Sequence, residues 1–378
     1  MMKILICFGT RPEAIKMAPL YHVLKEEAFD VKVCVTAQHR QMLDQVLDFF
    51  EIIPDYDLNL MSPNQSLNQL CAKILLHIDP VLDEVKPDLV LVHGDTTTSS
   101  IVALAAFHKQ IKIGHVEAGL RTFHKYFPFP EELNRQLTAK LADYHFAPTS
   151  QSVSNLQREL INPEAVFEVG NTVIDALKWA VNKIKIGYEN EAISKLKEQL
   201  DPTKKMILVT GHRRENFGKG LVQICEALLT LAKRTDVQIV YPVHLNPKVL
   251  VPVTSLLEKK ENILLIEPAE YPLFIWLMEQ SFMIISDSGG IQEEAPTLGK
   301  PVLVTRTFTE RTEGVKAGIS FLVGTNKKLI VEKAIELLDK FQGEVLPVNP
   351  YGDGTTSSKI LKELQKIENK NKFSFLNE

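Results

Sequence analysis

Two cationic side chains open a helix that directly follows a buried strand. The run Ile4–Cys7 is apolar throughout, and a glycine turn then leads into a helix that carries Arg11 and Lys16. A helix N-terminus offers unsatisfied backbone N–H groups and a partial positive charge, so it favours anions. We therefore expect these two cations to hold a phosphate-bearing ligand. A capped turn with two solvated cations is the alternative.

Carboxylates follow the ends of later predicted strands. Asp95 comes after Leu89–Val92, Glu117 comes after Ile113–Val116, and Glu131 opens a helix behind a proline-rich loop. The carboxyl ends of parallel strands share one edge of a sheet, so these acids should lie near the anion-binding turn. Crowded acids raise one another's pKa values, which suits proton transfer near neutral pH. The alternatives are a helix N-cap for Asp95 and favourable placement at a helix N-terminus for Glu131 or its neighbour.

Small residues mark a strand-to-helix junction in the second half of the chain. Phosphate oxygens can approach the backbone closely at Ser288, Gly289 and Gly290. Glu294, one helical turn further on, is placed to accept hydrogen bonds from ribose hydroxyls. Arg311 adds a cation near the same edge. These residues predict a site for a nucleotide diphosphate.

One histidine of the second half also follows a predicted strand. His212 lies in the glycine-containing polar loop after Met206–Thr210. A histidine there can neutralise or protonate a leaving phosphate. A buried histidine that is hydrogen-bonded to backbone is the alternative.

A parallel sheet has to position these residues. Apolar runs alternate with helical patterns along the chain, which predicts parallel strands with helices on both faces. The predicted strands are Ile4–Cys7, Val31–Thr36, Leu89–His93, Ile113–Glu117, Phe146–Pro148, Val166–Gly170, Met206–Thr210, Gln238–Pro242, Ile263–Ile266, Met283–Ser286 and Val302–Thr305. We expect an α/β fold of two doubly wound, Rossmann-like domains that face a central cleft. The first comprises residues 1–170, completed by a C-terminal helix at about 356–370, and the second comprises residues 171–355.

Composition narrows the class of partner. The 378 residues are 45% hydrophobic and 24% charged, with a formal net charge of −4, so no general cationic field would attract nucleic acid or an acidic membrane. No apolar run approaches the roughly 20 residues that span a bilayer, and we expect a cytoplasmic protein. The four cysteines are scattered among apolar residues, and the ten histidines form no ligand pair. We expect neither a metal nor a cofactor.

These motifs, in this order, resemble the non-hydrolysing UDP-N-acetylglucosamine 2-epimerases, relatives of the GT-B glycosyltransferases. The likeness runs from Phe8-Gly9-Thr10-Arg11-Pro12-Glu13 to Asn349-Pro350-Tyr351-Gly352-Asp353-Gly354 and includes Thr36-Ala37-Gln38-His39-Arg40, Val92-His93-Gly94-Asp95-Thr96-Thr97, His115-Val116-Glu117-Ala118-Gly119-Leu120-Arg121-Thr122 and Gly211-His212-Arg213-Arg214-Glu215-Asn216. The resemblance implies a GT-B-like fold. It also implies interconversion of UDP-GlcNAc and UDP-ManNAc, which supplies ManNAc-derived sugars for surface polysaccharide.

The resemblance also implies roles for particular residues. Proton transfer falls to Asp95, Glu117 and Glu131, and His212 supports the departing UDP. Arg11 and Lys16 would bind the phosphates or the reacting sugar. The diphosphate would be bound by Ser288, Gly289, Gly290 and Arg311. Glu294 would bind the ribose, and Phe274 would pack on the uracil. An ordinary core phenylalanine is the alternative for Phe274.

The same resemblance implies regulation and assembly. In bacterial relatives a second UDP-GlcNAc molecule activates the enzyme from a neighbouring site, which matches Gln38, Gln41, Gln65, Arg213 and His244. Asn64 stands where some relatives have arginine. A homodimer is expected from the resemblance alone.

The chemistry of the sugar limits the mechanism. Its C2–H lies next to no carbonyl, so we expect the C1–O bond to break first, giving an oxocarbenium-like centre that acidifies the C2–H. Loss of that proton then gives 2-acetamidoglucal. A proton then returns to the opposite face of C2 and UDP adds back, which takes two differently placed acid/base groups. Three alternatives remain open: a GT-B glycosyltransferase with a UDP-sugar donor, a hydrolysing UDP-GlcNAc 2-epimerase, and a catalytically silent nucleotide-sugar sensor.

Overall fold

The computed structural model describes residues 1–27, 29–36, 40–62, 64–211, 213–309, 311–341 and 349–375; the side chains of residues 40, 41 and 371–375 are not described. Contacts divide the chain into two units. One comprises Met1–Ala176 with Tyr351–Glu378, and the other comprises Leu177–Pro350. The sequence analysis placed the two divisions at 170 and 355.

Within the described residues, each unit contains one parallel sheet. The seven strands of the first unit are β1 (Lys3–Phe8), β2 (Asp30–Val35), β3 (Tyr56–Asp57), β4 (Leu89–His93), β5 (Lys112–Val116), β6 (Tyr144–Ala147) and β7 (Val166–Glu168). The six strands of the second unit are β8 (Lys205–Thr210), β9 (Val237–Pro242), β10 (Ile263–Ile266), β11 (Met283–Ser286), β12 (Val302–Val304) and β13 (Ser320–Leu322).

Strand order reverses once in each sheet. The first sheet runs β3-β2-β1-β4-β5-β6-β7, and the second runs β10-β9-β8-β11-β12-β13. The reversal therefore falls between β1 and β4 in one unit and between β8 and β11 in the other. In open α/β sheets, ligands bind beyond the carboxyl ends of the strands at such a point. The two sheets confirm the predicted α/β, Rossmann-like fold.

Helices occupy the connections between these strands. In chain order they are α1 (Arg11–Glu26), α2 (Arg40–Phe49), α3 (Leu67–Val85), α4 (Thr97–His108), α5 (Glu131–Leu141), α6 (Ser150–Arg158), α7 (Thr172–Lys185), α8 (Glu191–Gln199), α9 (Lys219–Leu231), α10 (Pro247–Leu257), α11 (Tyr271–Gln280), α12 (Gly289–Glu294), α13 (Thr312–Lys316), α14 (Lys327–Lys340) and α15 (Thr356–Phe375). Short 3₁₀ turns lie at Pro163–Ala165, Arg214–Asn216 and Ala295–Leu298.

Two short edge strands were not predicted. Strands β3 and β13 span two and three residues, which is too few for an apolar or alternating pattern to stand out. Several predicted strand ends also differ from the structure by one or two residues. The difference at β5 bears on the site, because that strand ends at Val116 rather than at Glu117. Glu117 has a φ of 60°, in the left-handed region, so it cannot continue the extended strand.

The core of each unit lies between its sheet and the helices beside it. Leu5, Val90 and Val92 are buried against residues of α3 and α4 in the first unit. In the second unit, Ile207 and Ile239 pack with residues of α9, α10 and α14. Each such side chain contributes about 1.5–3 kcal/mol by leaving water. The sheets are therefore rigid frames for the loops at their ends.

The C-terminal helix is anchored to the first unit. Asp175 of α7 accepts hydrogen bonds from the backbone N–H groups of Thr356 at 3.2 Å and Ser357 at 2.7 Å. A carboxylate there satisfies N–H groups that the first turn of a helix leaves unpaired. Helix α15 also packs on α1.

Candidate active site

A buried glutamate holds the turn after β1. Thr10 caps α1, and Glu13 completes a capping box with it. The Glu13 carboxylate accepts from the backbone N–H groups of Gly9 at 3.1 Å and Thr10 at 2.9 Å. It also accepts from the hydroxyl of Thr96, the N-cap of α4, at 2.8 Å. Burial raises the pKa of Glu13, and these hydrogen bonds oppose the rise. This acid joins the start of α1 to the start of α4.

Gly9 is required by a close approach of the backbone to two side chains. A Cβ at this position would lie 2.2 Å from Thr36 Oγ1 and 2.5 Å from Thr98 Oγ1. Those two hydroxyls are hydrogen-bonded to each other at 2.8 Å. Because any larger residue would displace them, the sequence has to break the strand with glycine here.

The two predicted cations of α1 have different surroundings. Arg11 is the first residue of α1 and is half-buried at the turn. Lys16 lies further along the helix, and its Nζ contacts Oε2 of Glu117 in an ion pair. Lys16 therefore neutralises one of the predicted catalytic acids, and a role on phosphate or sugar stays a prediction for both cations.

Glu117 is fixed from several directions. Its backbone is in the left-handed region, where residues with a Cβ are uncommon. Besides Lys16, the side-chain amide of Asn171 donates to Oε2 at 3.0 Å. His93 Nε2 lies 3.8 Å from the same oxygen. Only 11% of the Glu117 side chain is exposed, so the carboxylate is largely desolvated.

Asp95 forms an ion pair with an arginine of α5. Arg135 donates to Oδ2 of Asp95 from Nε at 2.9 Å and from Nη2 at 2.6 Å, and 27% of the Asp95 side chain is exposed. The helix after β4 is capped by Thr96, so the alternative of Asp95 as N-cap is wrong. Asp95 and Glu117 follow the adjacent strands β4 and β5, as expected. Each binds its own cation, whereas the sequence analysis expected the acids to act on one another.

The two glutamates that open α5 have different structural roles. Glu132 is fully buried and accepts from the backbone N–H groups of Thr122 at 2.9 Å and Phe123 at 3.0 Å. Burial alone would raise the pKa of Glu132, but its hydrogen bonds outweigh that effect and hold the pKa below the usual value. Glu132 therefore fixes the loop before α5. Glu131, the first residue of the helix, is half-buried beside it.

Two buried histidines flank the carboxylates. Burial lowers the pKa of His93 to about 4, although Glu117 opposes the shift, and burial lowers the pKa of His115 to about 3. Both rings are therefore neutral near pH 7. His115 Nε2 is hydrogen-bonded to the carbonyl oxygen of Gly94 at 2.7 Å, which fixes the turn between His93 and Asp95.

Small residues of the second unit adopt a tight strand-to-helix turn. The hydroxyl of Ser286 accepts from the Ser288 N–H at 3.0 Å and is hydrogen-bonded to Thr210 Oγ1 at 2.9 Å. Ser288 is the N-cap residue of α12, and no hydrogen bond from its side chain caps that helix. Gly289 and Gly290 begin the helix. The backbone there is tightly organised without bulky side chains, as phosphate binding needs.

Arg311 lies directly against this turn. A Cβ at Gly289 would lie 3.0 Å from Arg311 Cζ, so the guanidinium is packed on the glycine. Arg311 Nε donates to Glu293 Oε1 at 2.9 Å, and Nη2 lies 2.9 Å from the same oxygen. Glu294, the predicted ribose acceptor, is 9% exposed, with Oε2 4.0 Å from where a Gly290 Cβ would be.

A buried aspartate links the loop after β8 to the same turn. Asp287 accepts from the backbone N–H of Arg213 at 3.0 Å and from the side-chain amide of Asn216 at 3.2 Å. Arg213 Nε donates to the Asp287 carbonyl at 3.1 Å. Arg213 was predicted to bind an activator, and the structure places its side chain on the backbone of the predicted diphosphate segment.

The remaining predicted residues are dispersed or lie outside the described chain. His212 and Gln38 are outside the described residues, as is the side chain of Gln41. Gln65, just before α3, accepts from the Ser62 N–H at 2.9 Å. His244 is exposed and accepts from the Asn246 N–H at 3.1 Å. Phe274 is half-buried in the first turn of α11. The predicted contact of Phe274 with uracil stays a prediction.

Several residues in contact with the site were not singled out from the sequence. They are Glu13, His93, His115, Arg135, Asn171, Asp287 and Glu293. A signal was present for Arg135, which stands three residues after Glu132 at the spacing of neighbours on one helix face. A local signal was also present for Glu13, which stands three residues after Thr10 at the spacing of a capping box. The others act across longer sequence separations, which no local pattern encodes.

A comparison with protein families identifies the chain. A family model described as UDP-N-acetylglucosamine 2-epimerase matches residues 22–365. The chain belongs to this family. The UDP-N-acetylglucosamine 2-epimerase of Escherichia coli (strain K12) is 55% identical over 376 residues, covering 96% of this chain and 98% of that protein.

Solved structures of this 2-epimerase family are similar in fold. The UDP-GlcNAc 2-epimerase of Neisseria meningitidis, solved bound to UDP-GlcNAc, has a TM-score of 0.87 at 49% identity and covers 97% of this chain and 100% of its own. The MnaA protein of S. aureus, solved with UDP, has a TM-score of 0.84 at 47% identity, with 98% and 97% covered.

The described part of this chain has neither a cluster of metal ligands nor a helix that could span a membrane. Its described residues bring together no group of three or more His, Cys, Asp or Glu side chains that could hold a metal ion. None of the helices in the described ranges is long and apolar enough to cross a membrane.

Proposed function

We propose that this protein is a non-hydrolysing UDP-N-acetylglucosamine 2-epimerase, which interconverts UDP-GlcNAc and UDP-ManNAc. Family membership supports the class of reaction. The observation that carries the proposal is the pair of acids after β4 and β5, Asp95 and Glu117, each ion-paired with a cation of a neighbouring helix. Each ion pair fixes its carboxylate beyond a strand end, where a positioned acid/base group can exchange a proton with the sugar.

The reaction we propose is an elimination followed by an addition. The C1–O bond breaks first and its electron pair leaves with UDP, and a carboxylate then takes the acidified proton from C2. The electrons of the C2–H bond form the C1=C2 double bond of 2-acetamidoglucal. A second acid then gives a proton to the opposite face of C2, and UDP adds back to C1. Asp95, Glu117 and Glu131 are the proposed acid/base groups.

The second unit is proposed to hold the nucleotide. Its tight turn at Ser288, Gly289 and Gly290 has no bulky side chain and lies against the packed guanidinium of Arg311, which suits a diphosphate. Glu294 would accept from the ribose, and Phe274 would pack on the uracil. Arg11 and His212 would stabilise the charge on departing UDP. Lys16, which is paired with Glu117, would also contact UDP or the sugar.

Several further expectations accompany this proposal. The product would supply ManNAc-derived sugars for surface polysaccharide, and the enzyme would act in the cytoplasm as a homodimer. A second UDP-GlcNAc would activate it through Gln38, Gln41, Gln65, Arg213 and His244.

Incubation with UDP-GlcNAc alone tests the proposal. We expect a stable mixture of UDP-GlcNAc and UDP-ManNAc, reached from either sugar nucleotide. Accumulation of free ManNAc with UDP would indicate a hydrolysing 2-epimerase instead. No conversion until an acceptor is added would indicate a glycosyltransferase, and tight binding with no conversion under any condition would indicate a sensor.

A further inference from the structure

Glu117 needs outside support to keep its conformation. Its φ of 60° is unfavourable for a residue with a Cβ. Such a conformation persists only where the surroundings determine it. Strand β5 fixes the backbone before Glu117, and the side chain is held by Lys16 and Asn171.

Asn171 is itself held in one orientation. It is 4% exposed, and its backbone N–H donates to the Tyr351 carbonyl at 2.9 Å. Its Oδ1 accepts from the backbone N–H of Val173 at 3.0 Å, at the start of α7. A flipped amide would face this N–H with its NH₂ group and face Glu117 with its oxygen, so only one orientation satisfies both neighbours. Nδ2 therefore always points at Glu117.

The segment that carries Asn171 has little room to move. A Cβ at Gly352 would lie 3.5 Å from Asn171 N and 3.6 Å from Asn171 O. On the other side, a Cβ at Gly170 would lie 2.8 Å from Thr356 Oγ1. The strand-to-helix turn is thus packed against the returning C-terminal segment of the same unit.

Both donors reach the same oxygen of Glu117. Lys16 Nζ and Asn171 Nδ2 converge on Oε2, and His93 Nε2 lies 3.8 Å from it. The other oxygen, Oε1, lies 3.7 Å from where a Gly94 Cβ would be. Two donors on one oxygen fix the plane of a carboxylate as well as its position.

We propose that Asn171 is a positioning residue, which orients Glu117 for proton transfer by donating to Oε2 from a locked amide. This inference rests on the proposed function, because it assigns Glu117 to the reaction. Lys16 neutralises the charge of Glu117, and Asn171 fixes the orientation of the Glu117 carboxylate. A misplacement of about 1 Å at a catalytic group can cost about a hundredfold in rate, so such a residue matters without contacting the sugar.

The Asn171→Asp variant changes the interaction with Glu117 while it keeps the contact that Asn171 makes with the start of α7. It keeps the shape of the side chain and an oxygen for the Val173 N–H, but it places a second carboxylate oxygen against Glu117. Neighbouring carboxylates raise each other's pKa. The other titratable groups acting here are Lys16 of α1 and His93 of β4, with Asp95 of the next loop acting on His93.

We expect kcat of Asn171→Asp to fall at least about tenfold, with KM changed less than about threefold. The acid limb of its pH profile should move to higher pH by about one unit. In protein labelled with ¹³C at glutamate carboxyls, the resonance absent from Glu117→Gln should titrate at higher pH in Asn171→Asp than in the unmodified protein. The matched control is Asn162→Asp, an exposed N-cap of the first unit, which should change neither quantity.

An unchanged kcat, or the same Glu117 titration in both proteins, would overturn the positioning role. If Asn171→Asp does not fold, Asn171→Ser serves instead, because a serine can still accept from Val173 N but is too short to reach Glu117. The same tenfold loss is expected, and normal turnover would contradict the proposal. If the unmodified protein does not form UDP-ManNAc, the proposed function fails, while the titration still decides whether Asn171 acts on Glu117.

Discussion

The two units have the same strand order but use their charged residues differently. After β4, at the reversal point of the first sheet, Asp95 binds Arg135, and after the neighbouring β5 Glu117 binds Lys16. At the reversal point of the second sheet, the buried carboxylate of Asp287 accepts hydrogen bonds from the loop after β8. At the first edge each acid–cation pair follows a strand end, whereas at the second edge the ion pair of Arg311 and Glu293 lies against a turn of small residues.

This difference explains how one fold can serve two tasks. Proton transfer needs carboxylates that are held in fixed positions, and the cations of α1 and α5 hold Glu117 and Asp95. Diphosphate binding needs backbone that an anion can approach, and the glycines of α12 provide that. The comparison predicts that substitutions in the first unit change turnover and that substitutions in the second change nucleotide affinity.

The largest effect should come from removing one acid of the first unit. Asp95→Asn, Glu117→Gln and Glu131→Gln should each lower turnover at least about a hundredfold, a typical contribution of general acid/base catalysis. UDP affinity, measured by calorimetry, should stay within about threefold. Glu164→Gln, an exposed change in the same unit, is the control. Near-normal turnover in all three variants would refute the assignment.

A smaller effect should come from the second unit. Arg311→Lys keeps the charge but loses the planar group packed on Gly289 and bonded to Glu293, so UDP should bind about tenfold more weakly. Arg234→Lys is a matched control, because Arg234 pairs with Asp236 on the surface of the same unit. Calorimetric titration with UDP measures both. Equal UDP affinities in the two variants would contradict the role of Arg311 in nucleotide binding by the second unit.

The smallest effect concerns acid stability. Burial lowers the pKa of His93 to about 4, of His115 to about 3 and of His145 to about 4. All three belong to the first unit. The unfolded chain titrates near 6.5, so it binds more protons than the folded chain as pH falls, and stability falls with it. From about pH 7 to about pH 6 the loss is about 0.7 kcal/mol per histidine, or about threefold in an opening equilibrium.

Hydrogen exchange, corrected for its intrinsic pH dependence, measures that effect. Protection of β4, β5 and β6 should fall between these two pH values, while protection of β8 and β11 serves as the internal control. Equal losses in both sheets, or none in the first, would contradict the assignment of neutral buried histidines.

Much of the fold could be predicted because its signals are local. One short segment of sequence predicts strand β1, the glycine turn and α1. The acids after β4 and β5 stand directly after predicted strand ends. Strands β3 and β13 were missed because two or three residues carry no period. The bend at Glu117 was also missed, since a left-handed glutamate is set by tertiary contacts rather than by propensity.

The partners of the acids were harder to predict. Asn171 reaches Glu117 across 54 positions, and Arg135 reaches Asp95 across 40. The sequence showed that acids would gather, but the cation beside each depends on which helix face packs on the sheet. A crowded cluster was therefore expected, and the structure pairs each of Asp95 and Glu117 with a cation.

The most direct test of the account is to let the protein act on UDP-GlcNAc in deuterated water and to examine C2 of the product. Loss of the C2 proton to a carboxylate, followed by return of a proton from a second acid, predicts UDP-ManNAc that carries solvent deuterium at C2. UDP-ManNAc formed without deuterium at C2 would contradict the elimination and the role of the acids in the first unit.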